Sequence, residues 1–203
     1  MEIVVLADEG DYVFLQTLGE NIKWKFTHTS NTFFLHKNAD AYFDMRDNAG
    51  EDYSSLTKPV FINSMTVTIA ENNHNKNIIR INAWPGFIEK DLWEIAGEIN
   101  PEAAAVLKQL NKKYITVPDE AGFVSARIIA MIINEAYHAK DEAVSTEADI
   151  DTAMKLGTNY PYGPFEWCKK IGMQHVCALL QKLSITDERF LPSAGLAAAN
   201  KNI

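Results

Sequence analysis

The sequence predicts an α/β domain followed by an all-α domain, and two patterns lead to this prediction. Residues 1–118 contain short continuous apolar runs, such as residues 3–7, which are typical of strands buried on both faces of a parallel sheet. After Pro118 the apolar residues recur at three- and four-residue spacing, first over residues 123–139, which predicts a long helix. We therefore predict one domain over residues 1–118 and a helical domain over residues 119–203.

The elements of the first domain are predicted from apolar runs and helix caps. The predicted strands are residues 3–7, 22–29, 42–45, 60–63, 78–83 and 114–117. The predicted helices are residues 12–18, 92–96 and 102–110. Pro101 takes the first position of the third helix and Asn100 its cap. These elements are few for a complete doubly wound domain, so we predict an abbreviated Rossmann-like parallel sheet.

The helical domain carries clear start and stop signals. Thr146 and Asp149 have the spacing of a capping box, and the helix that they open is predicted to end at Gly157. Pro164 predicts the first residue of the next helix, which is predicted to stop at Gly172. Residues 173–183 are again amphipathic, and the small, polar tail of residues 195–203 is predicted to fray.

Composition excludes several classes of function. The net charge of −8 offers no basic stripe for a nucleic-acid backbone. Residues 123–139 contain Arg127 and Glu135, so they predict a buried core helix and no membrane contact. The N-terminal apolar run is too short for a signal peptide, and the two cysteines, Cys168 and Cys177, are predicted to be buried, reduced thiols of a cytoplasmic protein.

Three segments in the second half carry a family resemblance. They are residues 121–127 (Ala-Gly-Phe-Val-Ser-Ala-Arg), residues 149–157 (Asp-Ile-Asp-Thr-Ala-Met-Lys-Leu-Gly) and residues 160–166 (Tyr-Pro-Tyr-Gly-Pro-Phe-Glu). In this order they closely resemble the C-terminal helical domain of the 3-hydroxyacyl-CoA dehydrogenase family. The resemblance implies a 6-phosphogluconate-dehydrogenase-C-terminal-like dimerisation domain and a role in fatty-acyl-CoA metabolism.

The turn after the first strand lacks the usual dinucleotide fingerprint. A Rossmann fold places several glycines there, so that backbone amides can approach the pyrophosphate. Here the turn of residues 7–12 keeps only Gly10, and it holds the carboxylates of Asp8, Glu9 and Asp11. The second strand ends in Thr-His-Thr where an acidic residue would hold the ribose. We therefore predict no NAD binding in the usual mode and assign no cofactor.

The resemblance also implies catalytic positions, and several of them are altered. Glu94 stands where the family has the glutamate that orients its catalytic histidine, but Asn82 stands opposite the histidine itself. Asparagine cannot shuttle a proton near neutral pH. Ser64 matches a family serine in an uncertain register, and Ala126 replaces the asparagine before Arg127.

Each of these positions also has a purely structural interpretation. Glu94 would pair with Lys90 on a helix surface, Asn82 would cap the turn of residues 84–86, and Ser64 would bond to local backbone. No histidine has metal-ligand spacing, so no metal is predicted. The five histidines are His28, His36, His74, His138 and His175.

Three hypotheses for the function follow. In the first, the protein is a degenerate family member with weak or no NAD-dependent hydride transfer that keeps dimerisation and the binding of an acyl-CoA-like ligand. In the second, it is an active dehydrogenase that binds NAD and oxidises a 3-hydroxyacyl-CoA to the 3-oxoacyl-CoA. In the third, it is a non-enzymatic interaction module. The apolar helix over residues 123–139 favours a homodimer.

Overall fold

The computed structural model describes residues 1–7, 11–71 and 77–201. The chain divides into two compact units, Met1–Phe123 and Val124–Ile203. The turn of residues 8–10, on which the prediction about NAD rests, lies outside the described residues. The domain boundary after residue 118 stays a prediction, and residues 119–123 group with the first unit.

A seven-stranded sheet forms the centre of the first unit, in the order β2-β1-β3-β4-β5-β6-β7. The strands are β1 (Glu2–Leu6), β2 (Lys23–Thr27), β3 (Ala41–Asp44), β4 (Val60–Asn63), β5 (Ile78–Ile81), β6 (Leu92–Ala96) and β7 (Lys113–Thr116). Strands β1 to β5 are mutually parallel, whereas β6 is antiparallel to β5 and parallel to β7. The predicted α/β fold is confirmed, and the predicted parallel sheet differs only in the antiparallel pairing of β6 with β5.

The position of β1 decides where this sheet can bind a ligand. β1 pairs with β2 on one side and with β3 on the other, so the direction of strand addition reverses there. In open α/β sheets, ligands bind beyond the carboxyl ends of the strands, near such a reversal. Functional side chains are therefore expected in the segments that follow β1, β3, β4 and β5.

Helices cover both faces of the sheet. On one face, α1 (Asp11–Gln16) and α3 (Pro101–Gln109) contribute Leu15 and Leu107 to a core that includes Trp93. On the other face, α2 (Ser30–Leu35) contributes Phe33 to a core with Tyr42. Both cores are fully buried at these positions, so the sheet is shielded on its two sides as a parallel sheet requires.

Most elements of this unit agree with the prediction, one was predicted as the wrong type and one was not predicted. The cap of α3 is confirmed, since Asn100 Oδ1 accepts a hydrogen bond from the amide of Ala103 at 2.8 Å. Residues 92–96, predicted as a helix, are strand β6, because Trp93 and Ile95 alternate into the core at a two-residue spacing. Helix α2 was not predicted, although Thr29 caps it by accepting from the amide of Thr32.

The second unit is built from helices. They are α4 (Ser125–Asp141), α5 (Glu147–Thr158), α6 (Pro164–Ile171), α7 (Met173–Ser184), a 3₁₀ turn (Glu188–Phe190) and α8 (Ala194–Asn200). Helix α4 is central and packs against α6, α7 and α8. It buries Ile129, Ile133 and Tyr137, which confirms the predicted core helix. None of the helices in the described part of the chain has the length and apolar character that crossing a membrane requires.

The predicted caps of this unit are present. Thr146 Oγ1 accepts from the amide of Asp149 at 3.2 Å, and Pro164 opens α6 as predicted. Gly172 ends α6 at a φ of 99°, a conformation that glycine adopts without strain. Helix α5 extends one residue beyond the predicted stop at Gly157.

Most of the tail forms helix α8, whereas residues 195–203 were predicted to fray; residues 202 and 203 lie outside the described part of the chain. Helix α8 begins at Ala194, because the Ser193 hydroxyl accepts from the amide of Leu196 at 3.1 Å. Asn134 on α4 accepts from the amide of Ser193 at 2.8 Å. The side chain of Leu196 is fully buried, so the tail gains apolar burial that its small residues did not indicate.

Both cysteines are free and buried, as predicted. Burial raises the pKa of the Cys168 thiol to about 11, and burial likewise raises the pKa of the Cys177 thiol. The thiolate is the reactive form, so both groups are expected to be inert near neutral pH.

Glycine 163 gives a specific stability prediction. Asp151 accepts from the amides of Phe165 and Glu166, at 2.8 and 3.2 Å, at the start of α6. A Cβ atom at Gly163 would lie 2.3 Å from Asp151 Oδ1. We expect Gly163→Ala to destabilise the protein by about 1–3 kcal/mol in urea unfolding.

Glycine 157 is the matched control for that substitution. A Cβ atom there meets nothing within 4 Å, and the residue lies inside helix α5. We expect Gly157→Ala to stabilise the helix by up to about 1 kcal/mol. Equal effects at Gly157 and Gly163 would show that contact with Asp151 does not restrict Gly163.

Candidate functional site at the carboxyl ends of the parallel strands

Asn82 and Glu94 meet at the end of β5. Because β6 runs antiparallel to β5, Glu94 comes directly opposite Asn82. The backbone amide of Asn82 donates to the Glu94 carbonyl at 3.1 Å. The side-chain amide of Asn82 donates to Glu94 Oε2, also at 3.1 Å. The two positions singled out in the sequence thus form a hydrogen-bonded pair.

The alternation of the two strands places this pair on one face of the sheet. Ile81 and Ile95 are opposite each other and enter the core that contains Trp93. Their neighbours Asn82 and Glu94 therefore belong to the other face, together with Arg80. Asn82 is almost fully buried and Glu94 is half-buried, so the carboxylate remains within reach of solvent.

The chemistry of the pair follows from its two functional groups. A carboxylate that accepts from an imidazole can orient that ring for proton transfer. An amide donates its hydrogen bond but neither takes up nor releases a proton near neutral pH. The pair thus has the geometry of an orienting contact in which the partner of the carboxylate is an amide.

Of the two structural roles considered for this pair, the structure shows the one for Asn82. The pairing of Glu94 with Lys90 at helical spacing does not occur, because Glu94 lies on a strand. The turn-capping role of Asn82 is present, since Asn82 Oδ1 accepts from the amide of Trp84 at 3.4 Å. Asn82 therefore holds the turn after β5 and contacts Glu94 at the same time.

Ser64, directly after β4, is fully buried. Its hydroxyl donates to the Val67 carbonyl at 2.7 Å, which is the local backbone contact of the structural interpretation. Its own carbonyl accepts from Arg80. The role of Ser64 in contacting a substrate stays a prediction, and this conformation directs the hydroxyl proton to backbone.

Ala126, in the first turn of α4 in the second unit, is fully buried. A methyl group offers no hydrogen bond to any ligand. The position that the resemblance assigns to an asparagine is thus filled by a core residue.

A polar network surrounds Asp44 at the end of β3. It was not predicted from the sequence. Asp44 is fully buried and accepts from Arg46 Nε at 3.0 Å and Arg46 Nη2 at 2.6 Å. The Tyr53 hydroxyl donates to Asp44 at 2.9 Å. Arg46 also contacts Glu51 at 3.0 Å and Ser30 at 3.2 Å. A carboxylate that ends an apolar run, with an arginine two residues later, was the signal in the sequence.

The network shifts the pKa of Tyr53 and of Glu51. Burial, together with the nearby Asp44 charge, raises the pKa of the Tyr53 hydroxyl. Hydrogen bonds from Ser30 and then Arg46 lower the pKa of the Glu51 carboxyl. The network therefore joins α2, β3 and the following loop.

The second half of the chain is similar in sequence to known proteins. Residues 122–196 match the family model described as 3-hydroxyacyl-CoA dehydrogenase, C-terminal domain. A 3-hydroxyadipyl-CoA dehydrogenase of Escherichia coli (strain K12) is 41% identical over 104 residues, which cover 48% of this chain and 22% of that protein. The matched region thus spans less than a quarter of that relative.

Solved structures extend the similarity to the first unit. The (S)-3-hydroxybutyryl-CoA dehydrogenase PaaH1 of Ralstonia eutropha aligns with a TM-score of 0.65 and 25% identity, over 87% of this chain and 69% of that chain. FadB2 of M. tuberculosis aligns with a TM-score of 0.71 over 88% of this chain and 70% of that chain. At 16% identity, the second match shows the fold alone.

A mostly parallel Rossmann-like sheet, followed by a helical unit of this type, defines the class of 3-hydroxyacyl-CoA dehydrogenase folds. Residues 122–196 of this chain carry the C-terminal domain of the 3-hydroxyacyl-CoA dehydrogenase family. The family prediction made from the three motifs is confirmed.

Proposed function

We propose that this protein is a degenerate 3-hydroxyacyl-CoA dehydrogenase that binds an acyl-CoA and has weak or no NAD-dependent hydride transfer. The observation that carries the proposal is the hydrogen bond between Asn82 and Glu94. It occupies the position that the resemblance assigns to a histidine–glutamate pair. The carboxylate and its contact are retained, whereas the proton-transferring group is replaced.

The reaction needs a proton donor in addition to the hydride donor. Reduction of a 3-oxoacyl-CoA moves a hydride from NADH to the carbonyl carbon, and a proton must reach the carbonyl oxygen. General acid catalysis of such a step contributes about 10²–10⁴-fold to the rate. Asn82 cannot supply that proton.

Two further positions support the proposal. The buried Ala126 side chain cannot hydrogen-bond to a substrate where the resemblance implies an asparagine. In the sequence that follows Ala7, the carboxylates of Asp8, Glu9 and Asp11 would repel a pyrophosphate. Three changes at independent positions are more simply explained by loss of the redox role than by a shifted alignment.

Acyl-CoA binding is supported by the helical unit and by the relatives. The matched relatives are named for CoA thioester substrates, among them 3-hydroxyadipyl-CoA and 3-hydroxybutyryl-CoA. Calorimetric titration of the protein with acetoacetyl-CoA tests this part of the proposal. We expect saturable binding of acetoacetyl-CoA without added NAD. If acetoacetyl-CoA and free CoA bind equally weakly, the protein does not recognise the acyl group.

The active dehydrogenase remains the alternative, and Glu94 is the observation that favours it. If the protein turns over NADH with acetoacetyl-CoA, Glu94→Gln should abolish that activity. If Glu94 is structural, the variant should behave like the wild type. A measurable rate that disappears in Glu94→Gln would replace our proposal with this alternative.

We further propose that the protein forms a homodimer through the outer face of α4. Ile128 on this face is 51% exposed, and Met131 and Ile132 are half-buried beside it. They line a groove of about 440 Å³ that is flanked by Arg127 and Glu135. Two copies of α4 related by a two-fold axis perpendicular to the helix would run antiparallel, so that the positive end of one groove faces the negative end of the other.

Substitution of Ile128 tests the dimer. We expect Ile128→Glu to convert a dimer into a monomer in light scattering at micromolar concentration, because a charge would be buried in the interface. Val144, which is 68% exposed outside α4, is the matched control, and Val144→Glu should remain dimeric. A monomeric wild type under the same conditions would contradict the proposal.

A further inference from the structure

Arg80 is a fully buried cation in the middle of β5. Its Nε and Nη2 atoms donate to the Ser64 carbonyl at 3.0 and 2.7 Å. Its Nη1 atom donates to Asp119 Oδ1 at 2.5 Å, and the guanidinium also contacts the Glu120 carbonyl at 3.3 and 3.4 Å. Arg80 thus joins the loop after β4 to a segment that lies about forty residues after Arg80 in the chain.

The later segment, residues 119–123, has a strained backbone. Phe123 adopts a φ of 50°, which is rare for a bulky side chain, and Gly122 before it has a φ of 77°. The Phe123 ring is 3% exposed and lies 4.6 Å from the Arg80 guanidinium. Strain of this kind persists only where the surroundings enforce it.

Two more contacts tie the same segment to the loop after β4. The Gly122 amide donates to the Met65 carbonyl at 2.7 Å. The Ala70 amide donates to Asp119 Oδ2 at 3.2 Å. Asp119 therefore accepts from Arg80 with one oxygen and from the loop with the other, although its side chain is 27% exposed.

We propose that Arg80, Asp119 and Phe123 form a clamp that holds the loop of residues 64–70 and the segment of residues 119–123 as one cooperative unit. The loop follows β4 at the ligand-binding edge of the sheet, and the segment ends where the first compact unit ends. Opening of the clamp frees both together, so a ligand that moves the loop also releases the strained segment. The clamp depends neither on which ligand binds nor on any catalytic activity.

Hydrogen–deuterium exchange tests the clamp in the full-length protein. Asp119→Asn removes the charge but keeps an acceptor, so the fold should be retained. Breaking the clamp should speed exchange about tenfold or more in peptides covering residues 64–70 and 119–123, and by a similar factor in both. Peptides from β1 and β3 should be unchanged.

Two further variants serve as a stronger test and as a control. Arg80→Met removes the cation and should speed hydrogen exchange in both segments by a larger factor than Asp119→Asn does. If Arg80→Met does not fold, the result for Asp119→Asn alone tests the proposal. Glu102→Gln breaks the exposed pair with Lys58, at 2.7 Å, and should change neither segment. Faster exchange in only one segment, in neither segment or uniformly through the first unit in Asp119→Asn would overturn the proposal.

Discussion

Asn82→His is expected to raise the second-order rate constant for NADH oxidation with acetoacetyl-CoA by about 10²–10⁴-fold over the wild type. The imidazole would take the place of the amide that now donates to Glu94 Oε2 at 3.1 Å. A protonated ring in that contact can deliver a proton to the carbonyl oxygen as the hydride arrives. The rate should rise as the pH falls through the histidine pKa, because the protonated form is the acid.

Two control variants separate proton transfer from other effects of changing Asn82. Asn82→Ala removes the hydrogen bond to Glu94 without adding an acid, so we expect no gain in rate. The double variant of Asn82→His with Glu94→Gln should lose at least about tenfold of the gain, since the carboxylate no longer orients the ring. An equal gain in Asn82→Ala would show that the effect is not proton transfer.

The second large effect is expected on stability. Asp44→Ala should lower the free energy of unfolding of the first unit by about 3–5 kcal/mol, because it leaves the Arg46 guanidinium without its buried partner. The Asp44 carboxylate is fully buried and also accepts from the Tyr53 hydroxyl. Urea unfolding followed by circular dichroism measures this loss.

An exposed ion pair provides the comparison for Asp44. Glu102 contacts Lys58 at 2.7 Å, but the two side chains are 50% and 41% exposed. Glu102→Ala should therefore cost less than about 1 kcal/mol. If Asp44→Ala costs as little as Glu102→Ala, the network at the end of β3 does not stabilise the sheet edge.

Local patterns predict much of this fold. The apolar runs locate β1, β3 and β4, and the caps at Asn100 and Pro164 locate two helix starts. These signals are local because a cap bonds within three residues and a buried strand needs apolar residues throughout.

The errors arise where distant contacts decide the structure. Residues 92–96 are a strand because β5 and β7 supply hydrogen bonds on both sides, which the segment itself does not encode. The tail folds as α8 because Asn134, far away in the sequence, binds the amide of Ser193. Tertiary contacts overrode a weak local preference in both cases.

The residues of the candidate site were likewise only partly predictable from the sequence. The family motifs pointed to Asn82 and Glu94, and the structure brings the two side chains together. The roles of Asp44 and Arg80 could not be predicted, because each depends on partners that only the folded sheet brings close. A buried charge in a strand is conspicuous only once its burial is known.

Titration of the wild-type protein with NADH, followed by nicotinamide fluorescence in the presence of acetoacetyl-CoA, tests the proposed loss of hydride transfer most directly. We expect no saturation in the micromolar range and only very slow consumption of NADH, while acetoacetyl-CoA binds. Saturation in the micromolar range with steady consumption of NADH would contradict this and identify an active dehydrogenase.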